Sequence, residues 1–329
     1  MKVNRNSNIE FLRIILCFII VIFHQYNVFR SNYTGNLYNV FAILLNSPVT
    51  IFMLISGFFG IKSQPKLLKN LIYLAIVYLI NWILIAPTVI ILDIDYNILR
   101  FFSGGRDWWY FYCYLIILIL SPVLNKLIVI VKKWYLFFIT ISLFILLALS
   151  NNYKFGVGFT IDNLIYFILL YIMGAFISLY INYKSIWNIV FSLLIALGCF
   201  GFSAIWNSYN EVKFGDAILG WSTAIFSISL FLFVISIKEY NNKIINYISS
   251  QSLMIYLFHY IFELIVNNNL QLWQDFNYEI KWITYSVIIF SSVFVFSCIN
   301  NFWINKLTNA IYNLKLWGSI KTYDIFQEK

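Results

Sequence analysis

Long apolar runs recur along this chain, each close to the length of a bilayer crossing and each closed by a short polar interruption. A helix needs about 20 predominantly apolar residues to span the hydrocarbon core. Ten such segments can be drawn, at roughly 9–29, 40–61, 70–92, 108–131, 134–150, 161–182, 186–206, 216–237, 248–266 and 281–304. None shows the alternation of apolar and polar positions that a membrane barrel requires. Backbone groups in lipid must be satisfied within the segment. The pattern therefore predicts an all-α polytopic membrane protein with about ten transmembrane helices. We expect one transmembrane domain over 1–305 and a cytoplasmic tail over 306–329, with no room left for a second soluble domain.

Composition agrees. Of 329 residues, 62% are hydrophobic and 11% charged, against about 25% charged in soluble domains. The net charge of +9 would suggest nucleic acid in a soluble protein, but its distribution points elsewhere. With the N-terminus inside, the outer loops hold only Arg30, Arg100, Arg106, Lys154, Lys213 and Lys281. Arg13 lies within the first segment, and the rest of the 22 Lys and Arg fall on the inner side. That asymmetry is the positive-inside pattern. It predicts both termini in the cytoplasm, a location in the cell membrane and no nucleic-acid partner. Cys17, Cys113, Cys199 and Cys298 lie far apart in apolar runs, so no metal site or disulfide framework is expected. The first apolar run, interrupted by Arg13 and His24, reads as a retained helix and not a cleaved leader. No internal repeat of fixed period is visible.

Ionisable residues inside apolar segments are the candidate chemistry, because each costs at least about 2.5–3.5 kcal/mol at mid-bilayer. The first segment carries Glu10, Arg13 and His24. At 100° per residue, His24 returns to within about 20° of Arg13, roughly 16 Å further along the axis. Glu10 lies one turn before Arg13. A carboxylate, a guanidinium and an imidazole thus share one stripe. It reads either as a polar path ending at a proton-transfer group or as interfacial anchors with a polar helix end. The ninth segment holds a second stripe, Ser252, Tyr256, His259 and Glu263, at steps of four, three and four. This reads as cavity lining or as a mutually satisfied pair facing the bundle interior. Lys66 and Lys69 share a face at the start of the third segment, where cations could hold phosphates, although topology alone also places lysines there. Trp109 and Tyr110 open the fourth segment and suit an interfacial belt or a sugar-stacking entrance. Gly57 and Gly60 fit close helix packing.

Taken together and in order, these pieces resemble the membrane-bound acyltransferase-3 family. The resemblance runs from about residue 6 to about 305. Its carriers are Glu10, Arg13 and His24 in the family's spacing, with Glu where Asp is usual, and Ile55-Ser-Gly-Phe-Phe59. Lys66-Leu-Leu-Lys69 stands in place of an R-x-x-R, followed by Trp109-Tyr110-Phe111, Pro122-Val-Leu-Asn125 and Ser252-Leu-Met-Ile-Tyr-Leu-Phe-His259. The lysine pair keeps the charge but loses the bidentate contact of Arg.

The resemblance implies a ten-helix enzyme that moves an acetyl group from acetyl-CoA to a hydroxyl of a surface polysaccharide or its lipid-linked repeat unit. In that reading His24, Arg13 and Glu10 are catalytic, and Lys66 and Lys69 bind the donor. Trp109, Tyr110, Ser252, Tyr256, His259 and Glu263 line the acceptor side or cavity. His24 either deprotonates the hydroxyl or carries the acyl group. No permanently bound cofactor and no metal is implied. Acetyl-CoA is a substrate, and polysaccharide assembly machinery is the expected partner. A polysaccharide exporter or flippase, or an O-succinyltransferase of the same family, is the alternative. A glycan polymerase would carry a larger basic outer loop.

Overall fold

Each apolar run becomes a helix. A computed structural model of the chain describes residues 5–29, 37–62, 67–93, 108–150, 160–209, 220–268 and 278–314, and among them there is no strand. The helices are α1 Ser7–Phe29, α2 Leu37–Asn46, α3 Pro48–Gly60, α4 Leu67–Ile91, α5 Trp109–Ile130 and α6 Lys133–Ser150. They continue as α7 Ile161–Tyr180, α8 Ile186–Tyr209, α9 Trp221–Ser236, α10 Lys243–Ser249, α11 Ser252–Asn268 and α12 Tyr278–Tyr312. Helices are the natural outcome, since they pair backbone groups within one segment in lipid.

The described residues do not show all ten segments as full crossings. Seven spans among the described residues are long and apolar enough to cross a membrane, or eight if the bent pair α10–α11 is one span. α9 has 16 residues, a rise of about 24 Å against a hydrocarbon core of about 30 Å. Among the described residues, the apolar stretch of α6 is Lys133–Leu146. The 40–61 segment splits into α2 and α3, and the short α10 leads into α11, the helix of the 248–266 segment. Pro48 has no N–H to donate and starts α3 directly after Ser47, whose hydroxyl donates to the Leu44 carbonyl at 2.8 Å. α10 and α11 meet at 51°. Apolar side chains that would be costly in water stand exposed along the long helices, among them Ile83, Ile130, Phe191 and Phe302, as lipid contact requires.

The chain forms two compact units. The first comprises Met1–Ile19, Thr34–Ser63 and Gly104–Asn246, and the second Ile20–Tyr33, Gln64–Ser103 and Tyr247–Lys329. In the first, α3 lies against α7 at the distance that glycine permits. A Cβ on Gly57 would collide with the Tyr171 backbone, and one on Gly174 with the Leu54 carbonyl. Gly60 faces the Tyr171 hydroxyl. The close packing expected of Gly57 and Gly60 is thus present, with Gly174 as its counterpart on α7.

The Pro-x-x-Asn element reinforces the same contact. Asn125 Nδ2 donates to the Gly60 carbonyl at 2.9 Å, freed by the end of α3, and Asn125 Oδ1 accepts from the Tyr171 hydroxyl at 2.9 Å. One amide therefore ties α3, α5 and α7 together. Asn125→Leu removes both partners at once, and we expect a loss of about 1–3 kcal/mol. Thermal unfolding of the detergent-purified protein measures it, and an unchanged midpoint would show that the clamp carries no stability.

In the second unit α4, α11 and α12 pack together. Phe258 and Phe262 of α11 meet Phe296 of α12 at centroid distances of 5.0 and 5.6 Å. Asn81, fully buried on α4, donates through Nδ2 to the Leu257 carbonyl of α11 at 2.5 Å. A buried amide needs such a partner, since leaving it unpaired costs more than the bond gains. The four cysteines are free. Cys17 and Cys113 are buried, and Cys199 and Cys298 half-buried.

Candidate active site

Two imidazoles and a carboxylate meet in the second unit. α11 places Tyr256, His259 and Glu263 on one face by its three- and four-residue steps. The part of α1 that belongs to this unit brings His24 to the same place. His24 Nδ1 lies 3.8 Å from Glu263 Oε2, and His259 Nε2 lies 3.9 Å from Glu263 Oε1. The two imidazole rings meet edge to face at a centroid distance of 4.9 Å. His259 and Glu263 are buried, whereas the His24 side chain is 32% exposed. His24 is therefore the most exposed member of the cluster.

The surroundings fix these groups. His259 Nδ1 lies 2.5 Å from the Tyr256 carbonyl. A carbonyl only accepts, so Nδ1 carries the proton and Nε2 presents a lone pair. Trp282 of α12 donates through Nε1 to the Ile22 carbonyl at 2.7 Å and packs on Tyr26, holding α1 on either side of His24. Asn81 holds α11 at Leu257, two residues before His259. In a low-dielectric interior a carboxylate beside an imidazole acts more strongly than it would in water. The arrangement can orient His24 and stabilise positive charge that develops on it.

The sequence placed His24 and His259 on separate stripes, and the structure joins them through Glu263. Ser252 is buried on α11. Sequence reasoning passed over Asn81, Trp282 and Gln25. Asn81 was signalled as the amide in the interior of the 70–92 run, Asn70 standing at its start, and Trp282 was hidden by the abundance of interfacial aromatics. Gln25, next to His24, is fully buried, and neither of its side-chain polar atoms has a hydrogen-bond partner among the described residues.

The first unit holds the other charged pair. Arg13 Nη1 donates to Glu10 Oε2 at 3.2 Å and to Oε1 at 3.4 Å. The guanidinium lies over the Phe59 ring at 5.6 Å, a cation–π contact. The Phe-Phe end of α3 thus supports Arg13 through its second ring. Phe58 turns the other way, against Phe231 and Tyr183. The start of α1 is pinned in the same unit, with the Ser7 hydroxyl donating to Asn246 Oδ1 at 2.8 Å and accepting from the Asn242 amide at 2.7 Å. Glu10 is buried, so its charge requires the Arg13 partner.

Trp109 and Tyr110 also belong to the first unit. Both are buried, Trp109 stacked on Phe167 at 5.7 Å and Tyr110 edge-on to it at 5.3 Å. Their rings face protein and not an interfacial belt. Lys69 is half-buried in the first turn of α4. Lys66 and the Gly104–Asp107 approach to α5 lie outside the described residues.

An imidazole with a carboxylate partner is a common device for activating a hydroxyl or a thioester, and here it is buried among membrane-length helices. Comparison with known proteins narrows the class. The family described as an acyltransferase domain, acyltransferase-3, matches residues 6–300, a range that takes in His24, His259, Glu263, Glu10 and Arg13. No curated protein and no solved structure matches the chain. The match covers nearly the whole sequence, and the chain therefore belongs to the acyltransferase-3 family and is a multi-pass membrane acyltransferase.

Proposed function

We propose that this protein is an O-acetyltransferase that moves an acetyl group from acetyl-CoA to a hydroxyl of a surface polysaccharide or its lipid-linked repeat unit. The observation that carries this reading is the His24–Glu263–His259 cluster, with His24 as its most exposed member. His24 is the residue that touches the reacting atoms. Glu263 holds its ring and balances the charge that forms on it. Arg13, fixed by Glu10 and Phe59, supplies a permanent positive charge for the anionic donor or for negative charge developing during transfer.

Lys66 and Lys69 are the donor's phosphate contacts in this reading, on a cytoplasmic face set by the lysine-rich loops. Two ammonium groups attract phosphate as point charges, without the geometric match of guanidinium. Replacing both with Gln is expected to raise KM for acetyl-CoA by about tenfold, one ion-pair's worth of about 1.4 kcal/mol, with kcat less affected. Radiolabelled acetyl-CoA titrations on purified protein read this directly. An unchanged KM would remove both lysines from donor binding.

The reaction itself is tested with the same label. Purified protein alone should transfer label from acetyl-CoA to an added polysaccharide or lipid-linked oligosaccharide fraction. Mass spectrometry of the surface polymer, made with and without the protein, should show acetyl groups appear and vanish with it. Label moved from succinyl-CoA in preference to acetyl-CoA would make the protein a succinyltransferase.

A further inference from the structure

The cluster presents acceptor atoms to one another. His259 Nε2 carries a lone pair because Nδ1 holds the ring proton and donates it in a hydrogen bond to the Tyr256 carbonyl. Nε2 is buried and has no hydrogen-bond partner among the described residues. Across 3.9 Å stands Glu263 Oε1, which is also an acceptor when ionised. Two acceptors that face each other in a low-dielectric interior repel, and burial of such groups is tolerated when a cation or donor lies between them. His24 Nδ1 completes the triangle from α1. One ligand atom from each of the three residues lies within 4.8 Å of the others. A single atom at the centre would be no more than about 2.8 Å from each, up to roughly 0.6–0.8 Å longer than a zinc bond.

We propose that His24, His259 and Glu263 bind a divalent transition-metal ion, zinc being the best match to two imidazoles and one carboxylate. Four features carry this. The donor set is the borderline N and O combination that zinc takes, with three protein ligands and a fourth position left for substrate. His259 and Glu263 are four residues apart on α11, the spacing that presents two ligands on one helix face. The Nδ1–H of His259 is held by a backbone carbonyl, the outer-shell bond that fixes a metal-binding tautomer. Nε2 of His259 is buried, has no hydrogen-bond partner among the described residues and lies 3.9 Å from Glu263 Oε1. With zinc bonds of about 2.0–2.2 Å, neighbouring ligand atoms stand roughly 3.4 Å apart, so the side chains close inward by a fraction of their present separations. The fourth coordination position would take an acceptor hydroxyl or a thioester carbonyl oxygen, with His24 then acting as a ligand in place of the proton-transfer role. Binding stands on the donor geometry alone, and its part in catalysis rests on the acetyl-transfer reading.

The test is metal content. Full-length protein, purified in detergent and gel-filtered in metal-free buffer, should retain about one equivalent of zinc by elemental mass spectrometry. His259→Ala and Glu263→Gln should each reduce this at least tenfold, while Gly198→Ala, in an open helical position, keeps it. Should the buried variants not fold, His24→Ala provides the partly exposed ligand change. Cobalt(II) added to metal-depleted wild type provides a separate reading, since a four-coordinate site gives a visible absorption band that zinc displaces. Wild type with no more zinc than the variants, or cobalt without that band, overturns the site. Two further results separate the proposals. A protein that holds the ion but transfers acetyl equally well after chelation keeps the site and loses its catalytic part. One that holds the ion and transfers no acetyl keeps the site and overturns the acetyltransferase reading.

Discussion

His24→Ala should abolish acetyl transfer while the protein still reaches the membrane and keeps its helices. Positioned proton transfer or nucleophilic attack at one side chain is typically worth about 10²–10⁴-fold in rate, and alanine leaves nothing at this position to replace it. The substitution is a clean one. His24 is partly exposed, and it contacts the Glu263 carboxylate and two aromatic edges, Phe23 and His259. Deleting it leaves α1 held by Trp282 at Ile22. Glu263→Gln keeps the shape of the partner but removes its charge and should cost less, chiefly in kcat. Single-turnover transfer from labelled acetyl-CoA, normalised to protein in the membrane, separates the two. Retained transfer by His24→Ala would remove this residue from the mechanism. A loss with Glu263→Gln as deep as with His24→Ala would show that the charge, and not the ring's position alone, is needed.

Gly174→Val should be among the most damaging single changes to folding at the glycines described. Any Cβ at Gly174 runs into the Leu54 carbonyl, and at Gly57 into the Tyr171 backbone. Backbone in two packed helices cannot yield as a flexible side chain can. Overpacking typically costs about 1–3 kcal/mol, and here α3 and α7 must separate to relieve it. That separation would also break the Asn125 bonds to Gly60 and Tyr171. Gly57→Val should act alike. Gly198→Ala and Gly201→Ala on α8 are the controls, because a Cβ at either position meets nothing within 4 Å. Thermal melts in detergent should show a marked fall for the first pair and none for the second. Equal midpoints for all four would mean that the α3–α7 contact does not limit stability.

Much of this site could be read in the sequence, and the limits have physical causes. Helical periodicity orders residues within one helix. That is why Glu10 with Arg13, and His259 with Glu263, emerged as pairs three and four residues apart. It says nothing about which helix lies beside which, so His24 and Glu263 were left on different stripes. Ring contacts were equally out of reach. Phe59 under Arg13 and Phe167 beneath Trp109 depend on chain segments brought together by folding. Aromatic residues at helix ends look alike whether they face headgroups or protein. Asn81 and Trp282 have the same history. Each makes its bond to a backbone carbonyl of another helix, and a carbonyl leaves no mark in the sequence.

What the sequence by itself determined is the class. Apolar runs of bilayer length, with few charges, allow only helices, because lipid offers the backbone no other partner. Ordered spacings of ionisable residues pointed to the acyltransferase-3 family. The number of full crossings was not determined, since a 16-residue apolar helix and a 51° break look like ordinary segments when only hydropathy is counted. Tertiary structure alone decided that one buried carboxylate on α11 stands between two imidazoles, one of them from α1. That juxtaposition follows from packing between helices remote in the chain, and the energy that selects it is distributed over contacts no local pattern encodes.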